Sequence, residues 1–343
     1  MSMRRLALEL TNRCNLDCRH CLRDSRRTKH DLPLPLIRRL LQQAKRLGVS
    51  QVAFTGGEPL LHPHWQEILR LTAKQGYQFS LVTNGHRLPQ AIPFLSRPAL
   101  RKKLLRIAIS LDGPDDSSHD AIRGRGSFRK VMAAIAAGYA HGLPLRLKFT
   151  VTRQSVERVE EMVLLAAHLG LEGIEVSHMF PTPDNLRAQL MLTPEEWRQV
   201  ESKVQRLARE LKILVGMCAG GYDPNPFFLC GSLNLTELYV DSRGNLALCC
   251  MLPALRGSDP ARPEPELIAD LAQVELFAAH LRLVDVIADF FRRRLRQLQR
   301  REPSELEHFQ CLACARYFGK LEWLREFPQS PWSALVLPGK EMP

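Results

Sequence analysis

Leu6-Ala7-Leu8-Glu9-Leu10-Thr11-Asn12-Arg13-Cys14-Asn15-Leu16-Asp17-Cys18-Arg19-His20-Cys21 joins two signals in one short stretch. Leu6–Leu10 reads as a strand. Directly after it come three cysteines, separated by three and then two residues. Three thiolates cannot complete the tetrahedral shell of a structural zinc, and they cannot pair evenly as disulfides. They can hold three corners of a four-iron cluster and leave the fourth iron open. An open iron is a place to bind and activate a substrate, so the stretch points to chemistry just beyond the carboxyl end of a strand.

The alternation of strand and helix continues outward. Leu34–Leu47 reads as a helix stopped by Gly48, Gln51–Phe54 as a strand, His64–Lys74 as a helix ending at Gly76, and Phe79–Val82 as the third strand. A short helix near Pro89–Leu95 precedes a fourth strand over Leu105–Leu111. Phe128–Ala140 is helical, Leu145–Val151 is strand, Val156–Leu169 is helical up to Gly170, and Gly173–Val176 is the sixth strand. Six such units with short links suit a parallel sheet, either doubly wound or curved into a partial barrel. The loops decide between them. Cys14–Cys21 follow the first strand, Thr55-Gly56-Gly57-Glu58-Pro59 the second, and Thr83-Asn84-Gly85 the third; Ser110 and Asp112 close the fourth, Thr152 the fifth, and Ser177-His178 the sixth. A barrel gathers unusual residues at the carboxyl ends of its strands, whereas a doubly wound sheet concentrates them at one switch point. The expectation is therefore an α/β fold, a partial (β/α)6 TIM-type barrel over residues 1–192.

Thr193-Pro194-Glu195-Glu196 has the cap, proline and glutamate of a helix start, and opens a bridging helix over 193–214. Residues 215–343 read differently, as a smaller domain built around cysteines. The chain is irregular from Val215 through Gly220-Gly221-Tyr222-Asp223-Pro224-Asn225-Pro226 to Cys230. Leu235–Val240 and Asn245–Cys249 make a hairpin across Asp241-Ser242-Arg243-Gly244. Leu267 to about Arg301 reads as a helix, followed by Cys311-Leu312-Ala313-Cys314.

A hydrophobic fraction of 45% and a charged fraction of 24% in 343 residues are those of a globular protein. No apolar run approaches the roughly 20 residues needed to cross a bilayer, and the first residues lack the apolar core of a signal peptide. With that background, nine cysteines suggest metal ligands or free thiols in the cytoplasm. The net charge of +12 lies largely in Arg292–Arg301 and Arg23–Lys29. A basic helix can bind nucleic acid or an acidic peptide, or simply be a solvated face; the lack of interleaved aromatics argues against nucleic acid.

With the cysteine triad and Gly56-Gly57-Glu58-Pro59 in order on successive strands, the sequence resembles the radical S-adenosylmethionine (radical SAM) superfamily over roughly residues 4–180. The resemblance implies a 4Fe-4S cluster on Cys14, Cys18 and Cys21, with S-adenosylmethionine chelating the open iron. It implies that Glu58 accepts from the cofactor's amine while Gly56 and Gly57 allow close approach and Pro59 stiffens the turn. His20 stands where the family usually has an aromatic beside the adenine, and a backbone contact is the expectation. Ser110 and Arg123, in Ser110-Leu111-Asp112-Gly113 and Arg123-Gly124, would hold the methionine carboxylate. Asp112 contacts the ribose or caps its loop; Thr83 and Asn84 line the same rim. One electron delivered to the cluster would cleave the cofactor and release a 5′-deoxyadenosyl radical, which abstracts a hydrogen atom from substrate.

Cys230, Cys249, Cys311 and Cys314 look like the auxiliary-cluster region of the superfamily's SPASM/twitch branch. Because Ala315–Lys320 contains no further cysteine, the resemblance implies a single auxiliary 4Fe-4S cluster. A structural zinc on the same four thiolates is the alternative. Cys218 and Cys250 are left over, as replacement or added ligands or as buried thiols.

These implications favour an oxidoreductase that abstracts hydrogen from a peptide or small protein (a peptide maturase), the auxiliary cluster accepting an electron. A small-molecule substrate, an aminocyclitol or a tetrapyrrole, is the alternative, and a non-enzymatic metal- or nucleic-acid-binding module is a third. A reductant such as flavodoxin or ferredoxin is implied. The first strand begins by Leu6, so a leader peptide is expected to need a separate partner or a basic surface such as Arg292–Arg301. No proton acceptor stands out among His178, Asp223 and Asp241.

Overall fold

The computed structural model describes residues 5–22, 29–218, 220–255, 264–300 and 304–337, excepting the side chains of Gln297, Leu298 and Arg300. Residues 23–28 of the first basic stretch therefore lie outside the described residues, as does Arg301 of the second. Strands β1 (Arg5–Thr11), β2 (Gln51–Gly56), β3 (Gln78–Thr83), β4 (Leu104–Ser110), β5 (Leu145–Val151) and β6 (Gly173–His178) stand side by side in chain order, all parallel. The α/β expectation, with a parallel sheet compatible with a partial TIM-type barrel, is met.

Each strand separates its two faces by alternation. On β1, Leu6, Leu8 and Leu10 are no more than 1% exposed, while Ala7, Glu9 and Thr11 point the other way. On β5, Leu147, Phe149 and Val151 belong to the main core and Lys148 and Thr150 to the opposite face. The apolar face is covered by helices such as Leu34–Ala44, whose Leu36, Ile37, Leu40, Leu41 and Ala44 recur at helical spacing and are buried. The other face is polar. A sheet buried against helices on both sides would read as continuous apolar runs; this one leaves an interior lined with side chains that can meet a polar ligand.

Two features depart from the sequence expectation. First, the parallel sheet has more than six strands. β7 (Leu214–Met217), in the segment expected to be irregular, pairs with β6, with Gly173 opposite Leu214. A Cβ on Gly173 would stand 2.1 Å from the Leu214 carbonyl oxygen, so glycine permits the approach. At the other edge, β8 (Glu237–Val240) pairs in parallel with β1. Second, Leu267 does not begin a helix. β10 (Leu267–Asp270) pairs antiparallel with β9 (Asn245–Ala247), and the helix runs over Leu276–Arg300. The backbone groups of β9 needed a partner, and the short run Leu267-Ile268-Ala269 supplied it. Asp270 then turns the chain, its carboxylate accepting from the Ala272 N–H at 2.8 Å.

The hairpin of β8 and β9 thus extends the barrel sheet, giving the order β10-β9-β8-β1-β2-β3-β4-β5-β6-β7. Ala7, Tyr239 and Ala247 form a small core on the interior face at this junction, and Tyr239 hydrogen-bonds Glu9. The helix Pro194–Glu210 starts with the expected capping box. Thr193 Oγ1 accepts from the Glu196 N–H at 3.1 Å, and Glu196 accepts from the Thr193 N–H at 2.7 Å. No helix among the described residues is long and apolar enough to cross a membrane.

Candidate active site and cysteine clusters

The loops after β1 and β2 are bonded to each other. Gly57 N–H donates to the Thr11 carbonyl at 2.7 Å and Glu58 N–H to the Arg13 carbonyl at 2.8 Å. A Cβ on Gly56 would lie 2.4 Å from the Thr11 oxygen, at φ +153°, and one on Gly57 would lie 2.3 Å from the Arg13 oxygen. The close approach these glycines allow is therefore between the two loops. Arg13 clamps the same junction, reaching Asp31 at 3.0 Å and the Leu61 carbonyl at 3.1 Å.

Cys14 and Cys18 are half-buried and Cys21 is exposed. Asn84 Nδ2 lies 3.7 Å from Cys14 Sγ, and Arg123 Nη1 lies 4.0 Å from Cys18 Sγ. Burial pushes the Cys18 thiol up to about 12 against the pull of Arg123, with Cys21 and Cys14 adding to the rise; burial also raises Cys14. Thiolates brought this close repel one another, and a cation-rich group stabilises them.

Asp112 is the hub behind them. It is completely buried, and its carboxylate accepts from Arg123 Nε, from His20 Nε2 at 2.7 Å and from the Thr150 N–H at 3.0 Å. Burial opposes its charge, but the Arg123 guanidinium and His20 outweigh that and hold its carboxyl well below the usual range. Asp112 binds three elements together: the cysteine loop through His20, the helix Asp116–Arg123 and β5. No local pattern signals this, because both the burial of Asp112 and its meeting with Arg123 are decided by packing. Ser110, expected beside Arg123, sits at the end of β4, 8% exposed and in register with Lys148.

Glu58 is also completely buried. Its carboxylate accepts from Thr83 Oγ1 at 2.9 Å and 3.0 Å, the Asn84 N–H at 2.8 Å and the Leu60 N–H at 3.2 Å. Burial raises its carboxyl to about 7 despite these donors. Each carboxylate oxygen thus has two donor contacts, shared among Thr83, Asn84 and Leu60. Asn84 extends the network, donating to Asn15 Oδ1 at 2.9 Å. Asn15 in turn meets His86 at 3.4 Å, and His86 and His119 both approach Ser127 Oγ, at 2.9 Å and 3.2 Å. Burial lowers both imidazoles, His119 to about 4, so this polar layer beneath the cysteine loop is neutral. Glu58, Thr83 and Asn84 stand out in the sequence; Asn15, His86, His119 and Ser127 do not.

The second cysteine set comes from separate elements. Cys230 opens a turn, Cys249 follows β9, and Cys311 and Cys314 lie on the helix Gln310–Tyr317. The Cys311 thiol feels the charge of Cys249, Cys230 and Cys314, and of Cys250, and burial pushes all four of Cys230, Cys249, Cys311 and Cys314 up. Gly220, at φ +104°, is shaped to this set: a Cβ there would fall 2.0 Å from Cys311 Sγ. Among the described residues no three His, Cys, Asp or Glu side chains converge tightly enough to share a single metal ion. A cubane takes one thiolate per iron, so its ligands surround a space rather than meet at a point. Of the remaining cysteines, Cys218 Sγ receives Lys148 Nζ at 3.4 Å and Cys250 is exposed.

Residues 8–166 match the radical SAM superfamily. The chain is 34% identical over 190 residues to the PqqA peptide cyclase of Xanthomonas campestris pv. campestris, covering 54% of this chain and 50% of that protein. It is 25% identical over 291 residues to the AdoMet-dependent heme synthase of Methanosarcina barkeri, covering 77% and 81%. The chain spans about half the length of the first of these curated relatives. Streptococcus suis SuiB, solved with its precursor peptide SuiA, has a similar fold, with a TM-score of 0.65 and 16% identity over 81% of this chain and 64% of SuiB. The superfamily match thus runs from within β1 to the helix Val159–His168 that precedes β6.

Proposed function

We infer that the chain is a radical SAM oxidoreductase that removes hydrogen from a peptide or small-protein substrate. The observation that carries the reading is the triad Cys14, Cys18 and Cys21 at the carboxyl end of β1, with Asn84 and Arg123 directed at its sulfurs. The donor set fits an iron–sulfur cluster, because thiolates are soft anionic ligands and Arg123 offsets part of their charge. When bound, S-adenosylmethionine at the open iron supplies the hydrogen-abstracting carbon radical.

The chain's own residues hold and orient. The Asp112 hub ties His20 and Arg123 to the barrel rim, leaving the remaining Arg123 N–H groups to face an anion such as the methionine carboxylate, with Ser110 alongside. Glu58, locked by Thr83 and Asn84, ties the Gly56–Gly57 loop to the end of β3 and is the acceptor assigned to the cofactor amine. Cys230, Cys249, Cys311 and Cys314 would hold an auxiliary 4Fe-4S cluster, which would supply an acceptor for an electron from the substrate. On this reading residues 1–192 are the barrel, 193–214 the bridge and 215–343 the auxiliary-cluster domain, working in the cytoplasm with a flavodoxin- or ferredoxin-type reductant.

The peptide substrate is supported by the PqqA peptide cyclase relative and by the SuiB fold. A small-molecule substrate is the second reading, favoured by the longer alignment with the heme synthase. Anaerobic reconstitution, iron and sulfide analysis, and product analysis with S-adenosylmethionine and dithionite test both. About eight irons per chain and 5′-deoxyadenosine are expected. Absence of cofactor cleavage overturns the enzyme reading, and four thiolates loaded with zinc overturn the auxiliary cluster. Loss of two hydrogen masses from a candidate peptide, against turnover of a small molecule alone, separates the two substrates.

A further inference from the structure

A surface cleft of about 470 Å³ lies beside the first cysteine set. Its walls are His86 and Arg87 after β3, the first turn of the helix Leu88–Leu95, and Lys130 with its neighbour one turn on in the helix Ser127–Ala140; Asn15 of the cysteine loop closes its inner end. Both helices turn their buried residues, such as Ile92 and Ile135, into the main core. The cleft therefore opens on the outside of the helical layer, away from the polar interior of the sheet. Its inner wall leads straight to a sulfur. His86 Nδ1 meets Asn15 Nδ2 at 3.4 Å, Asn15 Oδ1 accepts from Asn84 Nδ2 at 2.9 Å, and that same Nδ2 lies 3.7 Å from Cys14 Sγ. Asn15 is also the next residue after Cys14.

The cleft is positively charged without compensation. Arg87 and Lys130 are exposed, and neither has an ion pair or a side-chain hydrogen bond among the described residues. No acidic side chain lines the cleft, and Asp17, two residues on from Asn15, is not part of its wall. Asp120 acts on His86 from nearby, but its carboxylate is taken up by the N–H groups of Gly126 at 2.5 Å and Phe128 at 2.8 Å. The amino end of the helix Leu88–Leu95 adds to the positive potential. Arg125 and Arg129 are exposed close by in the chain but do not line the cleft; Arg129 stands about 100° around its helix from Lys130.

We propose that this cleft docks the acidic one-electron carrier protein that reduces the cluster on Cys14, Cys18 and Cys21. The inference rests on the function proposed above and names the surface its reductant uses. Electron tunnelling falls off steeply with distance, so a carrier has to seat against a face close to the cluster. Cys21 is exposed as well, so proximity alone does not choose the face; the recessed, uncompensated cations beside Asn15 do. Electron-transfer encounters are small and are steered by charge, so two cations flanking one recess are enough to select an acidic carrier. A carrier held outside the helical layer leaves the interior to cofactor and substrate. One electron leaves the reduced carrier and enters the cluster, and no proton or group moves with it.

The test uses the reconstituted full chain and an acidic flavodoxin. Fluorescence anisotropy of fluorescein-labelled oxidised flavodoxin reads binding, and 5′-deoxyadenosine formation is followed with either reduced flavodoxin or dithionite as electron source. Arg87→Glu with Lys130→Glu should weaken binding at least tenfold and slow flavodoxin-driven cleavage at least tenfold at subsaturating carrier. Dithionite-driven cleavage, iron content and melting temperature should stay unchanged, and the dependence of binding on salt should flatten. Arg292→Glu with Arg296→Glu, which removes the same charge far along the chain, should bind as the parent does, and so should Arg87→Lys with Lys130→Arg. Should the glutamate pair lose iron, Arg87→Gln with Lys130→Gln makes the same comparison. Unchanged binding in the cleft variants overturns the proposal, and so does equal weakening by the Arg292 and Arg296 pair, which would assign the effect to net charge. Failure of dithionite-driven cleavage in the unmutated chain counts against the proposed function instead, a result that the dithionite arm separates from a failure of docking.

Discussion

The two cysteine sets are built by opposite routes. Cys14, Cys18 and Cys21 lie within one loop after β1, with Cys21 open to solvent, and the sulfurs are reached from outside by Asn84 and Arg123. Cys230, Cys249, Cys311 and Cys314 arrive from a turn, the end of a hairpin and a helix, and close on a more buried space that Gly220 keeps clear. A local set can be emptied of metal without undoing the fold around it. A set assembled from distant segments ties those segments together, so its metal contributes to folding as well as to chemistry.

The largest expected effect comes from breaking the local set. Cys18→Ala should abolish 5′-deoxyadenosine formation and remove about four irons per chain, with little change in melting temperature. If that variant unfolds instead, the contrast between the sets fails. Cys311→Ala should also remove about four irons, yet retain cofactor cleavage in the absence of substrate while stopping substrate oxidation, and it should lower the melting temperature of the reconstituted protein more than Cys18→Ala does.

Asp112→Asn sharpens the comparison by attacking the frame of the local set rather than its sulfurs. It leaves the 9%-exposed Arg123 without its carboxylate, a loss of about 3 kcal/mol by urea denaturation. The smallest effect belongs to a pair near the distant set. His178 stacks on Trp197 with ring centroids 4.2 Å apart, its Nε2 3.8 Å from Glu201. Burial lowers His178 to about 3 and raises Glu201 to about 7, with Asp223 adding to the latter, so His178 is neutral there. A carboxyl raised from 4.5 favours folding while protonated and loses that advantage as pH rises to about 7. Glu201→Gln should therefore gain about 1–2 kcal/mol relative to the parent between pH 5 and pH 8. Equal pH dependence of the two melting curves would reject the assignment.

The strand–helix beat from β1 to β6 was readable because each unit is decided locally, by alternation in strands, helical spacing and glycine stops. The cysteine triad and the Gly56-Gly57-Glu58 loop were readable for the same reason. β7 and β10 were not. They are short segments without a strong period of their own, strands only because β6 and β9 present unpaired backbone groups to them. Asp112 was noticed but not understood, since its importance lies in meeting His20, Arg123 and Thr150 from three other elements. His119, Ser127 and His86 carried no pattern at all.

The sequence alone determined the parallel α/β architecture, the place of the first cysteine set at a strand's carboxyl end and its incompleteness as a metal shell, because all three follow from residues close together in the chain. Tertiary structure decided which groups face those sulfurs, that Gly56 and Gly57 serve the contact between two loops, and that the C-terminal hairpin extends the barrel sheet. Each of these depends on which distant segments are brought within a few ångströms, a matter of packing that no local spacing records.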